Sequence, residues 1–309
     1  MVPYILRRLL WAPVILAAVT LFTFTLGLYG PGDPVQVIMG LHVNPEVIDR
    51  IRSERGLDRP LHEQYISYVA KAIRGDLGES YTYRGQRVSD LIFGRIGVSA
   101  QLGLAATAMA LAIGLPLGLI AAVKQGSWLD TAVVSATLFF YSLPIFVTAP
   151  VLQILLVLQL GLLPTGGWGG LFDVRIIMPA IVMGVPSAAV LTRLMRASTL
   201  DVLGQDYVRT ARSKGLFERI VLTRHVGRNA LLPVFTVVGL SLAGLVEGAF
   251  ITETLFGIPG IGRLAVDSLF ARDYPVVMAL TLIVAVAFIL ANLFVDIGYT
   301  YLDPRIRYQ

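Results

Sequence analysis

Long apolar runs alternate along this chain with shorter polar connections. An α-helix rises 1.5 Å per residue, so about 20 mostly apolar residues are needed to cross a hydrocarbon core about 30 Å thick. Six stretches reach that length: Leu9–Tyr29, Val98–Val123, Ala132–Leu158, Ile177–Met195, Leu231–Ile251 and Val276–Tyr299. The pattern predicts an all-α membrane protein with six transmembrane helices. Pro144 and Pro150 interrupt the third run, and Pro179 and Pro186 the fourth. Embedded helices tolerate proline where neighbours satisfy the freed backbone groups.

The polar connections have their own patterns. Residues 30–97 form a long segment that is too patterned to be a plain linker. Asn44 is placed to cap a short helix that begins at Pro45 and runs to Glu54, and a second helix follows through Glu63 and Gln64. Ile66, Val69, Ala70 and Ile73 give that second helix a modest apolar face. The segment from Asp206 to Pro233 is basic and amphipathic. Its periodicity predicts two short helices bent near Gly215, a residue suited to the left-handed position after a helix end. Tyr207, Ala211 and Val208 lie on one side of the first helix, and Phe217, Ile220, Val221 and Leu222 form an apolar side on the second. The small residues Ala211 and Gly215 would let a partner approach closely.

Composition agrees with a membrane chain. Of 309 residues, 56% are hydrophobic and 15% charged, against roughly 25% charged in soluble domains, and the mean hydropathy is +0.74. The net charge of +5 is a matter of topology. Arg7, Arg8, Lys124, the cluster from Arg196 to Arg228, Arg305 and Arg307 all fall on one side of the predicted spans. The short segments of the other side, 159–176 and 252–275, carry only Arg175, Arg263 and Arg272. By the positive-inside rule both termini are cytoplasmic. The basic residues therefore do not suggest nucleic-acid binding. The expected organisation is a cytoplasmic end and first helix over 1–29, an external segment over 30–97, a helical core over 98–302 and a cytoplasmic tail over 303–309. Within the core, 200–228 forms a cytoplasmic loop.

Several chemistries have no support. There is no cysteine, and the phosphate loop G-x-x-x-x-G-K-[ST] does not occur, so ATP would have to bind elsewhere. His62-Glu63 lacks a second histidine at metalloprotease spacing, and no G-x-S-x-G is present. Gly257, Gly260 and Gly262 lack dinucleotide-fingerprint spacing and predict turns instead. Arg7-Arg8 precede an apolar run too long for a signal peptide, so the first helix is expected to be retained. No enzymatic constellation or cofactor site is expected in this chain.

Arg209-Thr210-Ala211 followed by Gly215 resembles the EAA loop of ABC importer permeases. The longer string through His225 and Asn229-Ala-Leu-Leu-Pro233 is similar to the dipeptide, oligopeptide and nickel branch. Gly32-Asp33-Pro34, Gly56-Leu-Asp58, Gln64-Tyr65 and Gly75-Asp76-Leu-Gly-Glu-Ser80 resemble the periplasmic region of the same branch. Arg209 stands where the wider family has glutamate, so no glutamate contact is carried over. The resemblance implies a type I ABC importer permease subunit in a bacterial or archaeal inner membrane. It also implies a second homologous permease, two ATPase subunits (identical or different) holding ATP and Mg, and an external substrate-binding protein. On this reading Tyr207, Arg209, Thr210, Ala211, Lys214, Gly215, Leu216, Arg219 and His225 dock the ATPase, and the cargo is a di- or oligopeptide. Nickel chelates, glutathione and oligosaccharides stay open as alternatives.

Charge inside a span is costly and points to function. Glu247 near the end of the fifth run and Asp296 in the sixth are the candidates for a translocation path, Glu247 for a cationic group such as a peptide amino terminus. Asp296 could instead bond near Asn292, one turn back. Gly244 and Gly248 have the spacing for close helix packing. An ion-coupled secondary transporter would show paired intramembrane acids and inverted halves, and neither is evident. The bent basic loop argues against a scaffold or receptor.

Overall fold

The computed structural model describes residues 2–29, 50, 53, 58–247 and 249–302; of 2–6, 9, 28–29, 242–247 and 299–302 it describes the backbone alone. The described residues form helices and turns. In chain order these are α1 (Val2–Tyr29), α2 (Leu61–Ile73), α3 (Val88–Val123), α4 (Trp128–Ser142), α5 (Ile145–Gln153) and α6 (Ile177–Leu203). They continue with α7 (Asp206–Ser213), α8 (Arg228–Glu247), α9 (Phe250–Phe256), α10 (Ile261–Phe270) and α11 (Tyr274–Leu302). The helix of Asn44 to Glu54 and the motifs at Gly32 and Gly56 fall largely or wholly outside the described residues.

Among the described residues, four helices are long and apolar enough to cross a membrane: α1, α3, the helix ending at Leu203, and α11. The third predicted run is not one straight helix. Leu143 precedes a proline, which disfavours helical backbone, and it is extended with φ −79° and ψ 119°. The chain therefore breaks between α4 and α5 and bends by 95°. Counted as one bent span, this pair makes a fifth crossing. Pro179 sits in the first turn of α6, where its missing N–H is not needed. The fifth run also differs from expectation: α8 begins at Arg228 and ends at Glu247, and α9 is a separate helix.

Close contacts set the helix directions. α3 and α6 run side by side in the same sense: Gly184 faces Ala106, Gly114 faces Ala188, and Gly118 faces Thr192. A Cβ on Gly114 or Gly118 would stand 2.8 Å or 2.5 Å from a backbone carbonyl oxygen of α6. Only glycine permits this approach, as in small-residue packing of membrane helices. α11 runs antiparallel to α1 and α8. Gly27 meets Met278, Arg8 pairs with Asp296, and Gly239 meets Val295. The starts of α1, α4 and α8 thus gather with the ends of α3, α6 and α11 at the end of the bundle that carries α7. We call this the near end.

The far end is held by two buried carboxylates. Glu253 of α9 is 0% exposed. It accepts hydrogen bonds from Ser99 Oγ (2.6 Å), Ala249 N (3.2 Å) and Arg263 N (2.9 Å). Ser99 Oγ in turn accepts from Ile261 N at 2.8 Å, so α3, α9 and α10 are pinned at one point. Asp273, also 0% exposed, accepts from Tyr81 N (3.0 Å), Thr82 N (3.1 Å) and the Ser80 hydroxyl. Beside these acids, Val88, Leu91 and Ile92 of α3 pack on Ile261 and Leu264 of α10 and on Leu280 of α11. α2 lies along α1 by an aromatic face: the Tyr65 ring meets Phe24 at 5.5 Å, and its hydroxyl lies 3.0 Å from that of Thr20. The expected aliphatic face is not the packed one, since Ile66 and Ile73 are exposed.

Candidate docking site

α7 starts after Gln205 with Asp206 in its first turn, where a carboxylate favours the helix dipole. Its inward face is Val208 and Ala211, which pack with Val221 and Val226 into a small buried cluster bordered by Val202, Leu203 and Leu222. Removing that apolar area from water is the main term that fastens α7 to the bundle. The chain then turns at Gly215, whose φ of +75° is the left-handed conformation that glycine adopts without strain. The second predicted short helix is not separate. Glu218–Ile220 and the wide turn Val221–Gly227 lead directly into α8.

Two fastenings hold the turn. Arg212 reaches across it to Glu218 through two bonds, Nη2–Oε1 at 2.7 Å and Nε–Oε2 at 3.2 Å. These hydrogen bonds hold the Glu218 carboxyl below its ordinary range and raise the Arg212 guanidinium above its own. Asn229 of α8 donates Nδ2 to the Tyr207 hydroxyl at 2.8 Å and to the His225 carbonyl at 3.0 Å. Tyr207 and His225 therefore join α7 to the base of α8. Thr210 spends its hydroxyl on the Asp206 carbonyl at 2.9 Å.

What remains outside is an apolar knob in a basic stretch of the chain. Phe217 is 79% exposed, with Leu216 and Ile220 partly exposed beside it. Arg209, Lys214, Gly215 and Arg219 of the same turn region are exposed as well. The structure brings these together with Tyr207, Thr210 and Leu216. It corrects the expectation for Ala211, which faces inward and cannot meet a partner. It also corrects the second apolar side: Val221 is buried, whereas Phe217 points away from the bundle. Phe217 is the residue that sequence reasoning left out of the site. Its only sequence signal is a bulky apolar residue two positions after a turn glycine.

The other candidate residues lie elsewhere. Asp296 pairs with Arg8 at 2.6 Å, which joins α11 to α1, while Asn292 donates to the Phe288 carbonyl instead. The side chain of Glu247 and all of Gly248 lie outside the described residues, and Gly244 is described only as part of the α8 backbone. Close helix approach is seen instead at Gly114 and Gly118, which share the spacing of Gly244 and Gly248.

A family model described as binding-protein-dependent transport system inner membrane component matches residues 114–308. A second, for the N-terminal part of such membrane components, matches residues 1–98. The chain is 38% identical to the oligopeptide transport system permease protein AppB of Bacillus subtilis, with 100% of each chain covered. It is 39% identical to the dipeptide transport system permease protein DppB of Escherichia coli K12, again over 100% of both. Among solved structures, an inward-facing form of the MetNI methionine ABC transporter matches with a TM-score of 0.54 at 15% identity, covering 69% of this chain and 96% of that one. That likeness bears on the fold alone.

Proposed function

Since the chain belongs to the binding-protein-dependent transport system inner membrane component family, we propose that it is one permease half of an ATP-driven importer of di- or oligopeptides. It crosses the inner membrane of a bacterium or archaeon six times, with α4–α5 as a bent third span and α8 as the fifth, and both termini lie in the cytoplasm. A second homologous permease completes the pathway. Two ATPase subunits hold the ATP and Mg, because this sequence has no phosphate loop. An external binding protein delivers the cargo at the far end, where Ile66 and Ile73 of α2 offer exposed apolar contacts.

The observation that carries this reading is the Phe217 knob with its cations, set on a turn clamped to both α6 and α8. A push on such a turn must move both helices, because Val208, Ala211 and the Asn229 bonds leave no slack between them. Chemistry on the partner is thus converted to helix movement here without a reacting group in this chain. Glu247 is assigned to the path, where it attracts the peptide amino terminus. Substituting Phe217→Ala and, separately, Gly215→Asp, then purifying the complex from membranes, tests the docking role. Wild type brings down ATPase subunits and a second permease, and each variant keeps the second permease but loses ATPase. Undiminished ATPase recovery with both variants removes the knob from the docking site.

A further inference from the structure

We propose that Arg193, together with Tyr141 and the helix break beside it, forms a site inside the membrane for the carboxylate of a transported peptide. The proposal rests on the peptide-permease reading above. Arg193 lies in the apolar helix that ends at Leu203. It stands two residues before Met195, where the fourth apolar run ends, and its guanidinium meets Tyr141, which lies about 20 Å along α4 from the near end.

Its neighbours in charge are all matched. Arg196, one turn nearer the end, gives Nε and Nη2 to the two Asp130 oxygens at 2.6 and 2.7 Å, and Arg8 has Asp296. Among the described residues no carboxylate lies within ion-pair distance of Arg193. Its guanidinium instead lies 4.9 Å from the centre of the Tyr141 ring. A ring contact occupies the flat face of the cation, and its N–H donors, which point outward in the plane, meet no acceptor among the described residues. A cation held in an apolar span without an acceptor is unfavourable unless a ligand supplies one. A carboxylate fits that edge with two parallel bonds.

The second observation is the break. Tyr141 is exposed and stands in the last turn of α4, two residues before the extended Leu143 and the 95° bend. Transporters build substrate sites where a helix is discontinuous, because backbone groups freed there can face a cavity. Arg193 is itself only half-buried, so part of its side chain is open to a ligand. Because every unmodified peptide ends in a carboxylate, such a site accepts cargo irrespective of side chains.

The test uses the complete transporter in proteoliposomes and measures initial uptake of trialanine and of trialanine amide. Each rate is expressed relative to wild type at equal amounts of assembled complex, so the preference of the external binding protein cancels. Arg193→Gln should lower trialanine uptake about tenfold, as expected for loss of a charged hydrogen-bonded pair, and leave the amide nearly unchanged. Arg193→Lys should recover part of the trialanine rate, and it is the variant to read if the glutamine form assembles poorly. An equal fall for both peptides, or no fall, overturns the proposal, and an equal fall would mark Arg193 as a partner or lipid contact. A wild-type complex that imports neither peptide instead refutes the peptide reading on which the proposal stands.

Discussion

At the far end, Glu253 and Asp273 are wholly enclosed and accept their hydrogen bonds mainly from backbone N–H and serine hydroxyl groups. At the near end, Asp206 and Glu218 stand in solvent, and their partners are arginine side chains on the same surface. A buried acid is tolerable only when nearly all its lone pairs are used, so each such acid locks the segments that supply its donors. An exposed pair is screened and contributes little to stability. The contrast separates two tasks. The far end fixes where short helices and turns sit over the bundle. At the near end the turn after α7 keeps its charges exposed and relies on the small cluster around Val208 for attachment, while Asp130 of α4 is enclosed and paired with Arg196.

Removing the Glu253 carboxylate should break this contrast most sharply. Glu253→Ala strands Ser99 Oγ and the N–H groups of Ala249 and Arg263, at about 1–3 kcal/mol for each buried donor. Thermal unfolding of the purified protein in detergent should show a large fall in Tm that high salt does not alter. A Tm close to that of wild type would mean the far end is not held there. The middle of the bundle should respond next. Gly118→Ala drives a methyl group into the Thr192 carbonyl of α6 and should cost about 1–3 kcal/mol as overpacking. Gly97→Ala on the same helix meets nothing within 4 Å and serves as the control, neutral or slightly stabilising. Equal effects at the two positions would argue against backbone contact between α3 and α6.

Much of this architecture was legible in the chain. Run length predicted the apolar parts of α1, α3, α6 and α11, but α3 begins ten residues before its run and α6 ends eight after it, and the bend at Pro144 fell inside a run read as one span. The turn at Gly215 was legible because a positive φ after a helix favours glycine. Facing was harder to read. Tyr207 with Ala211 and Val208 with Ala211 both satisfy helical spacing, and only packing against Val221 and Val226 decides that Val208 and Ala211 go inward. Spacing of glycines was equally ambiguous. Gly114-x-x-x-Gly118 and Gly244-x-x-x-Gly248 read alike, and the first pair is the one seen against a neighbouring backbone. The buried acids were out of reach for a different reason. Glu253 and Asp273 sit near ends of apolar runs, where an acid can simply reach water. Their burial depends on Ser99 and Ser80, which are more than 150 residues away in sequence.

The smallest effect should come from the Arg212–Glu218 pair, and its pH dependence shows which kind of acid Glu218 is. Its carboxyl is held below the ordinary range by two hydrogen bonds from Arg212. A carboxyl with a lowered folded-state pKa binds its proton more weakly when folded. It therefore adds stability above the unfolded value of about 4.3 and loses it as pH falls through the lower folded value. The Tm difference between wild type and Glu218→Gln should thus be slight but present at pH 7 and vanish in acid. Raising the salt at pH 7 should also shrink it, because the pair is exposed. A large difference that survives salt would place Glu218 with Glu253 among the locking acids, and the turn after α7 would then be as fixed as the far end.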